Sequence, residues 1–263
     1  ALIAPEVLEG LSQGLLETLN LNEFLALDVA RLATQVAHHI GLDPQAERLL
    51  DTLAMLGAFK PMQRHGHVAR ALYDLTALHA QRDEVAHRLA THTSDVARCW
   101  ATRWVMLSGL PLAQQLHSVR RFAADPHFGV REFAWMAVRD AVSAAPDEAL
   151  ALLQPWAADE DANIRRFASE LTRPRGVWCA QIEGFKAEPW RAQVLLGTLR
   201  ADPSRYVQNS VANWLNDASK SQGPWVDQTC ERWLRESDSP ATRYIGQRAR
   251  RTLRKAGAWG RPA

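Results

Sequence analysis

Three segments of the chain follow one plan, and that repetition constrains the fold more than any other feature. They run from Asp125 to Ala134, Asp159 to Ala168 and Asp202 to Val211. Each opens on an aspartate and places a β-branched residue five positions on: Val130, Ile164 and Val207. A pair of small or apolar residues follows at eight and nine: Phe133-Ala134, Phe167-Ala168 and Ser210-Val211. A shorter amphipathic stretch precedes each one (Leu112 to Ala124, Asp147 to Ala157, Pro189 to Leu199), and a degenerate fourth unit starts at Asp238 after Trp225 to Arg235. Apolar residues recur every three or four positions, and strand alternation is nowhere convincing. Helix pairs repeating at ~40 residues mark HEAT-like units, which bury their apolar faces only against one another. The expected fold is all-α, an α-solenoid of antiparallel helix pairs.

The remainder of the chain is also helical in pattern. Expected helices run from Pro5 to Leu19, from an Asn20 cap through Val36 to Ile40, from Pro44 to Gly57, from Val68 to Leu78, from Asp83 to Leu89, and from Ser94 through Trp104. Residues 1–110 read as an atypical N-terminal part of the solenoid, 111–257 as the repeats and 258–263 as a disordered tail. The repeat aspartates Asp125, Asp159 and Asp202 are expected as helix N-caps. His65 and His67 have a spacing that suits a metal, but no thiol or carboxylate lies near in sequence, so they read as a loop feature.

Composition bounds the function weakly. Lysine and arginine number 31 against 29 acids in 263 residues, a net charge of +2, so total charge points to no partner. Distribution says more. Arginines recur in the second helix of each pair (Arg131, Arg139, Arg165, Arg166, Arg173, Arg175, Arg205), and Arg243 to Lys255 carries six basic residues and no acid. In a solenoid these would line a concave basic face sized for a duplex, against the plainer reading of solvated surface charge. Three scattered cysteines without CxxC spacing argue for reduced thiols in a cytoplasmic protein. No stretch has the length of a membrane span and no signal-peptide layout opens the chain, so no membrane partner is expected.

The stretch Asp159 to Trp178 ends in Thr172-Arg-Pro-Arg-Gly176. Pro174 stops a helix, which puts two guanidiniums on a stiff corner ahead of an aromatic plane. Such a corner suits a phosphate backbone; Arg173 would equally serve to cap helix carbonyls.

Three strings resemble one known family. They are Phe167-Ala-Ser-Glu-Leu-Thr-Arg-Pro-Arg-Gly-Val-Trp178, Asp202 through Ser210-Val-Ala-Asn-Trp-Leu-Asn-Asp217, and the basic segment Ala241 to Gly257. Together they make Leu112 to Gly257 similar to the AlkC/AlkD superfamily of HEAT-like-repeat DNA alkylation-repair glycosylases, and to its AlkC branch in particular. The resemblance implies an enzyme acting as a monomer on double-stranded DNA. It would excise positively charged N-alkylated bases, of the 3-methyladenine or 3-methylcytosine class, without metal or organic cofactor. Many AlkC proteins carry an immunoglobulin-like domain after the repeats; none is expected in this chain.

Carried over residue by residue, the resemblance assigns catalysis to Glu132, Trp178 and Asp217. Loss of a cationic base moves positive charge onto the deoxyribose, where a carboxylate stabilises it and orients water. An aromatic face adds cation–π attraction. Phosphates would be held by Arg166, Arg173, Arg175, Arg205, Arg243 and Arg248, with Asn213 and Lys220 beside Asp217. Each has a plainer reading: Glu132 a solvated helix residue or an ion-pair partner, Asp217 a member of a surface ion pair, Trp178 core packing. A non-catalytic HEAT-like scaffold for DNA or protein is the rival function.

Overall fold

The first residue of each repeat is a hydrogen-bond acceptor that shapes a turn, and the sixth residue after it closes that turn from the far side. In the computed structural model, which describes residues 3–42, 46–77, 79–176 and 179–255, this device occurs five times. The backbone N–H two residues on donates to Asp125 Oδ1 (2.8 Å), Asp159 Oδ1 (3.0 Å) and Asp202 Oδ1 (2.8 Å). His92 Nδ1 and Ser237 Oγ accept in the same way from Ser94 and Ser239. Six residues after each acceptor stands Arg98, Arg131, Arg165, Gln208 or Arg243, whose side chain reaches back to the turn's own carbonyls at 2.6–3.0 Å. Loop carbonyls that would otherwise lack partners are thereby satisfied.

Two corrections follow. The repeat aspartates are not N-caps: Asp161 and Ser204 occupy the cap positions of the helices Ala162–Leu171 and Arg205–Ser219. The aspartates sit two residues earlier, where they take an arginine of the preceding repeat instead. Arg98 donates from Nε and Nη2 to Asp125, and Arg165 likewise to Asp202 at 2.6 and 3.1 Å. The repeat also begins earlier than its aspartates reveal, because His92 stands where the others carry Asp. The last unit opens at Ser237 and not at Asp238.

Among the described residues every regular element is a helix, as the periodicity predicts, and no helix is long and apolar enough to cross a membrane. The chain divides into two compact units: residues 1–111 with 125–137, and 112–124 with 138–263. The tail predicted at 258–263 lies outside the described residues.

In the first unit the expected helix Pro5 to Leu19 ends at Ser12, because Gly14 takes φ +75°, closed to most side chains. Leu15 and Leu19 are consequently exposed. Asn20 caps Leu21–Ala26 as expected, and Asp28 caps a separate helix, Val29–Ile40. His65 and His67 lie within the helix Pro61–Ala77, not in a loop. His65 is 1% exposed beneath Phe24 and Phe133, and its Nδ1 accepts from Trp100 Nε1 at 3.2 Å. Burial, with the charges of Arg103 and Arg64, pushes its pKa down to about 3.

In the second unit three helix pairs follow the expected order. Leading members are Pro146–Leu153, Gln193–Thr198 with its 3-10 entry Pro189–Ala192, and Gly223–Glu236. Second members are Ala162–Leu171, Arg205–Ser219 and Pro240–Ala249. The β-branched and paired positions of the plan (Ile164, Phe167, Ala168, Val207, Ser210, Val211) are all buried. Arg139, from Phe128–Ala144, is 1% exposed and donates to the carbonyls of Leu171, Arg173 and Ala180 at 2.7–3.0 Å. Arg131, Arg139 and Arg165 are thus committed to the fold, not to a solvated channel.

Two outcomes test this account. Arg139→Met strands three inward carbonyls and should cost about 2–4 kcal/mol in urea unfolding. His65 stays neutral in the native chain while the unfolded chain protonates below the ordinary value of 6.5. Stability is therefore intact above that value and declines as pH falls from about 6.5 towards about 3, by about 2 kcal/mol between pH 7 and 5. His65→Gln should remove that component.

Candidate functional site

The helix Ala162–Leu171 stops where the string Leu-Thr-Arg-Pro-Arg predicts. Thr172 Oγ1 folds back to the Ala168 carbonyl at 3.0 Å and accepts from Trp214 Nε1 at 3.1 Å. Pro174 forbids a further turn. Gly176 serves a close approach: a Cβ there would collide with Cys179 Sγ and press on the Arg139 guanidinium. Burial pushes the thiols of Cys99, Cys179 and Cys230 up from their ordinary value, so none is primed as a nucleophile.

The corner delivers Arg173 to two buried carboxylates. Nη1 donates to Glu170 Oε1 at 2.5 Å, while Nε and Nη2 both donate to Asp217 Oδ2, at 2.9 and 2.7 Å. Asp217 and Glu170 are each 4% exposed. Asp217 belongs to Arg205–Ser219 and has a second cation on its other oxygen, Lys220 Nζ at 3.3 Å from Oδ1. Arg175 Nε donates to the Asp217 carbonyl at 3.3 Å. Glu170 Oε2 accepts from Ser210 Oγ at 2.6 Å and lies 3.5 Å from Arg166 Nη2.

Charge balance explains the ionisation of this cluster. Burial alone would raise the Glu170 carboxyl, but the charges of Arg166 and Arg173, with the Ser210 hydroxyl, hold it below its ordinary value. Burial would likewise lower Arg173, and Glu170 and Asp217 together raise it. Glu170 is therefore anionic and the Arg173 guanidinium cationic near neutral pH.

The eight residues expected at phosphates all lie in the second unit, and they divide by environment. Arg166 is buried with its guanidinium 4.6 Å over the Tyr206 ring, and Arg173 is half-buried on the carboxylates. Arg175 and Asn213 are half-buried; Asn213 Oδ1 accepts from Arg251 at 3.0 Å. Lys220, Arg205, Arg243 and Arg248 are exposed, with Arg205 stacked 3.7 Å over the Tyr244 ring. Glu132 belongs to the first unit, where its Oε2 accepts from Trp135 Nε1 at 2.9 Å. Trp178 lies outside the described residues. Glu170 received no role from sequence reasoning, although it stands in the RPR-bearing string three residues before Arg173, on the same helix side. Among the described residues no group of three or more His, Cys, Asp or Glu side chains is placed to hold a metal.

No family model matches the chain. A Bacillus subtilis protein, the uncharacterized YhaZ, is 29% identical over 232 residues, which cover 86% of this chain and 63% of YhaZ. A solved structure of Pseudomonas fluorescens alkylpurine DNA glycosylase AlkC, bound to DNA containing an abasic-site analog, superposes with a TM-score of 0.72 at 26% identity. The match covers 89% of this chain and 65% of that one. In fold and in part of its sequence the chain is similar to the AlkC/AlkD superfamily. AlkD2 from Streptococcus mutans shares the fold at a TM-score of 0.56 and 23% identity, over 69% of this chain and 86% of AlkD2. The chain spans just under two thirds of the length of YhaZ and of the AlkC structure.

The two cations on Asp217 differ in kind. Arg173→Gln would strip buried Glu170 and Asp217 of the cation they share and should destabilise the chain by roughly 3 kcal/mol. Lys220, with its side chain 43% exposed, forms a surface pair, so Lys220→Gln should cost under about 1 kcal/mol. Thermal unfolding of both variants distinguishes them.

Proposed function

We propose that the chain is a DNA glycosylase that hydrolyses the N-glycosidic bond of positively charged N-alkylated bases, of the 3-methyladenine or 3-methylcytosine class, in double-stranded DNA. The observation that carries this reading is Asp217: a buried carboxyl group at the end of the Leu215-Asn216-Asp217 string. One of its oxygens is clamped by Arg173 and the other accepts from an exposed lysine, Lys220. The abasic-site analog in the Pseudomonas AlkC complex corresponds to the product such a reaction leaves, and it supports the reading.

The chemistry asks little of the protein. A cationic base leaves with the bonding electrons as a neutral molecule, so general-acid help is unnecessary, and positive charge develops on the deoxyribose. Asp217 Oδ1 would stabilise that charge, orient the attacking water and accept its proton as oxygen bonds to the sugar carbon. A substrate cation displaces Lys220 from this oxygen more readily than it displaces the doubly bonded, half-buried Arg173. The resemblance would give Glu132 the role of a second carboxylate and Trp178 that of the aromatic face. Exposed Arg205, Lys220, Arg243 and Arg248 would meet phosphates, which sets register and not sequence; Arg166 and Arg173 build the site from behind.

The pairing of Asp217 on both oxygens favours a second reading, a DNA-binding relative without base excision. Release of bases from DNA treated with an SN2 methylating agent decides between them. The native chain should release 3-methyladenine or 3-methylcytosine, and Asp217→Asn should slow release at least ~10²-fold while still binding DNA. Affinity should fall steeply with salt, and Arg248→Gln should reduce the log–log slope by about 1. Salt-sensitive binding without release establishes the second reading; neither binding nor release points to a protein scaffold.

A further inference from the structure

The chemistry proposed above gives Glu170 no part, yet it is buried and its two shortest contacts, to Arg173 and Ser210, lead towards Asp217 and its helix. Buried ion pairs are seldom the most stable filling for a core, so two short hydrogen bonds and an ion pair to one glutamate ask for a purpose beyond cohesion. We infer that Glu170 is a positioning residue for base excision, acting on Asp217 through Arg173. This rests on the catalytic reading of Asp217.

The geometry is a rigid frame closed at both ends. A guanidinium is planar, so fixing one edge fixes the opposite edge. Glu170 Oε1 holds Nη1 of Arg173, and the Nε–Nη2 edge then grips Asp217 Oδ2 with two donors. At the other end, Glu170 Oε2 is tied by Ser210 Oγ to the helix Arg205–Ser219. Ser169 Oγ in turn donates to Ser210 Oγ at 2.7 Å. Ser210 precedes Asp217 by two helical turns on the same helix. Glu170 therefore binds the catalytic helix directly and also binds the arginine that sets the rotamer of its aspartate. Pro174 stiffens the backbone from which Arg173 reaches out. The consequence is directional: Oδ2 is immobilised and Oδ1 is presented. At 4% exposure Glu170 cannot itself meet substrate, so its influence passes through Arg173.

The test is single-turnover and steady-state base release by the native chain, Glu170→Gln, Ser210→Ala, Arg173→Lys and the double variant Glu170→Gln/Arg173→Lys. Circular dichroism corrects each rate for folded protein. Glutamine keeps the shape and the bond from Ser210 but weakens the hold on Arg173; lysine keeps the charge but lacks the fork. The expected result is a fall in kcat of roughly 10–100-fold for Glu170→Gln with KM within about twofold, and a smaller fall of the same kind for Ser210→Ala. In the Arg173→Lys background, Glu170→Gln should change kcat by less than about twofold, since the path it acts through is already cut. A native kcat per folded molecule in Glu170→Gln, while Asp217→Asn is inactive, overturns this inference and leaves the glycosylase reading standing. Equal losses in both backgrounds also overturn it, because Glu170 would then act independently of Arg173. No base release by the native chain removes the glycosylase reading and this inference together.

Discussion

A side chain that reaches back to its own turn is the contact on which the repeat architecture depends. A HEAT-like unit has to reverse the chain sharply before its second helix, and a sharp turn leaves carbonyls without partners at a partly buried place. Arg98, Arg131, Arg165, Gln208 and Arg243 answer this at one position of the repeat. The same guanidinium has donors to spare, and in Arg98 and Arg165 these go to the aspartate that opens the next unit. One residue type thus closes a turn and fixes the spacing between neighbours. Arginine suits the task because its fork carries several donors in a rigid plane and stays charged when half-buried. Gln208 has only an amide, and it reaches only the single carbonyl of Asp202.

The candidate site uses the same chemistry for a different end. Arg173 stands beyond its helix and not at its start, and its fork is shared between two carboxylates of adjacent helices. An arginine that merely stabilised would need one acid. With Glu170 on one edge and Asp217 on the other, it becomes a spacer of fixed shape, so the position of Asp217 depends on the end of a helix in another repeat. Arg139 contributes from beneath by absorbing the carbonyls of Leu171 and Arg173. The corner that carries Arg173 is thereby held by a buried cation before it meets any ligand.

This arrangement changes how the basic residues are understood. Counted along the sequence, arginines of the second helices look like one charged surface. In the fold they separate by depth: some close turns, some compensate buried acids, and Arg205, Arg243 and Arg248 remain at the surface with Lys220. A phosphate-binding surface needs only a few such groups, since affinity tracks the number of phosphates neutralised. Most of the second-helix arginines serve the protein itself.

The sequence alone determined the all-helical class, the pairing of helices, the Asn20 cap and the corner at Pro174. These follow from local rules: apolar periodicity, backbone restrictions at proline and acceptor residues at turns. It misjudged what depends on partners distant in the chain. Asp125, Asp159 and Asp202 looked like caps because aspartate before a helix usually is one, whereas their carboxylates answer arginines some 30 to 40 residues earlier. His92 hid one repeat, and Ser237 shifted the start of the last by one residue, because different side chains can offer the same acceptor. His65 looked like part of a polar loop, yet Phe24, Trp100 and Phe133 bury it within a helix. Glu170 was visible in the string but silent, since a carboxylate three residues from an arginine is ordinary until Ser210 and Asp217 arrive from another helix. Tertiary structure alone decides which charges are neutralised, because that requires the groups to be brought together and removed from water.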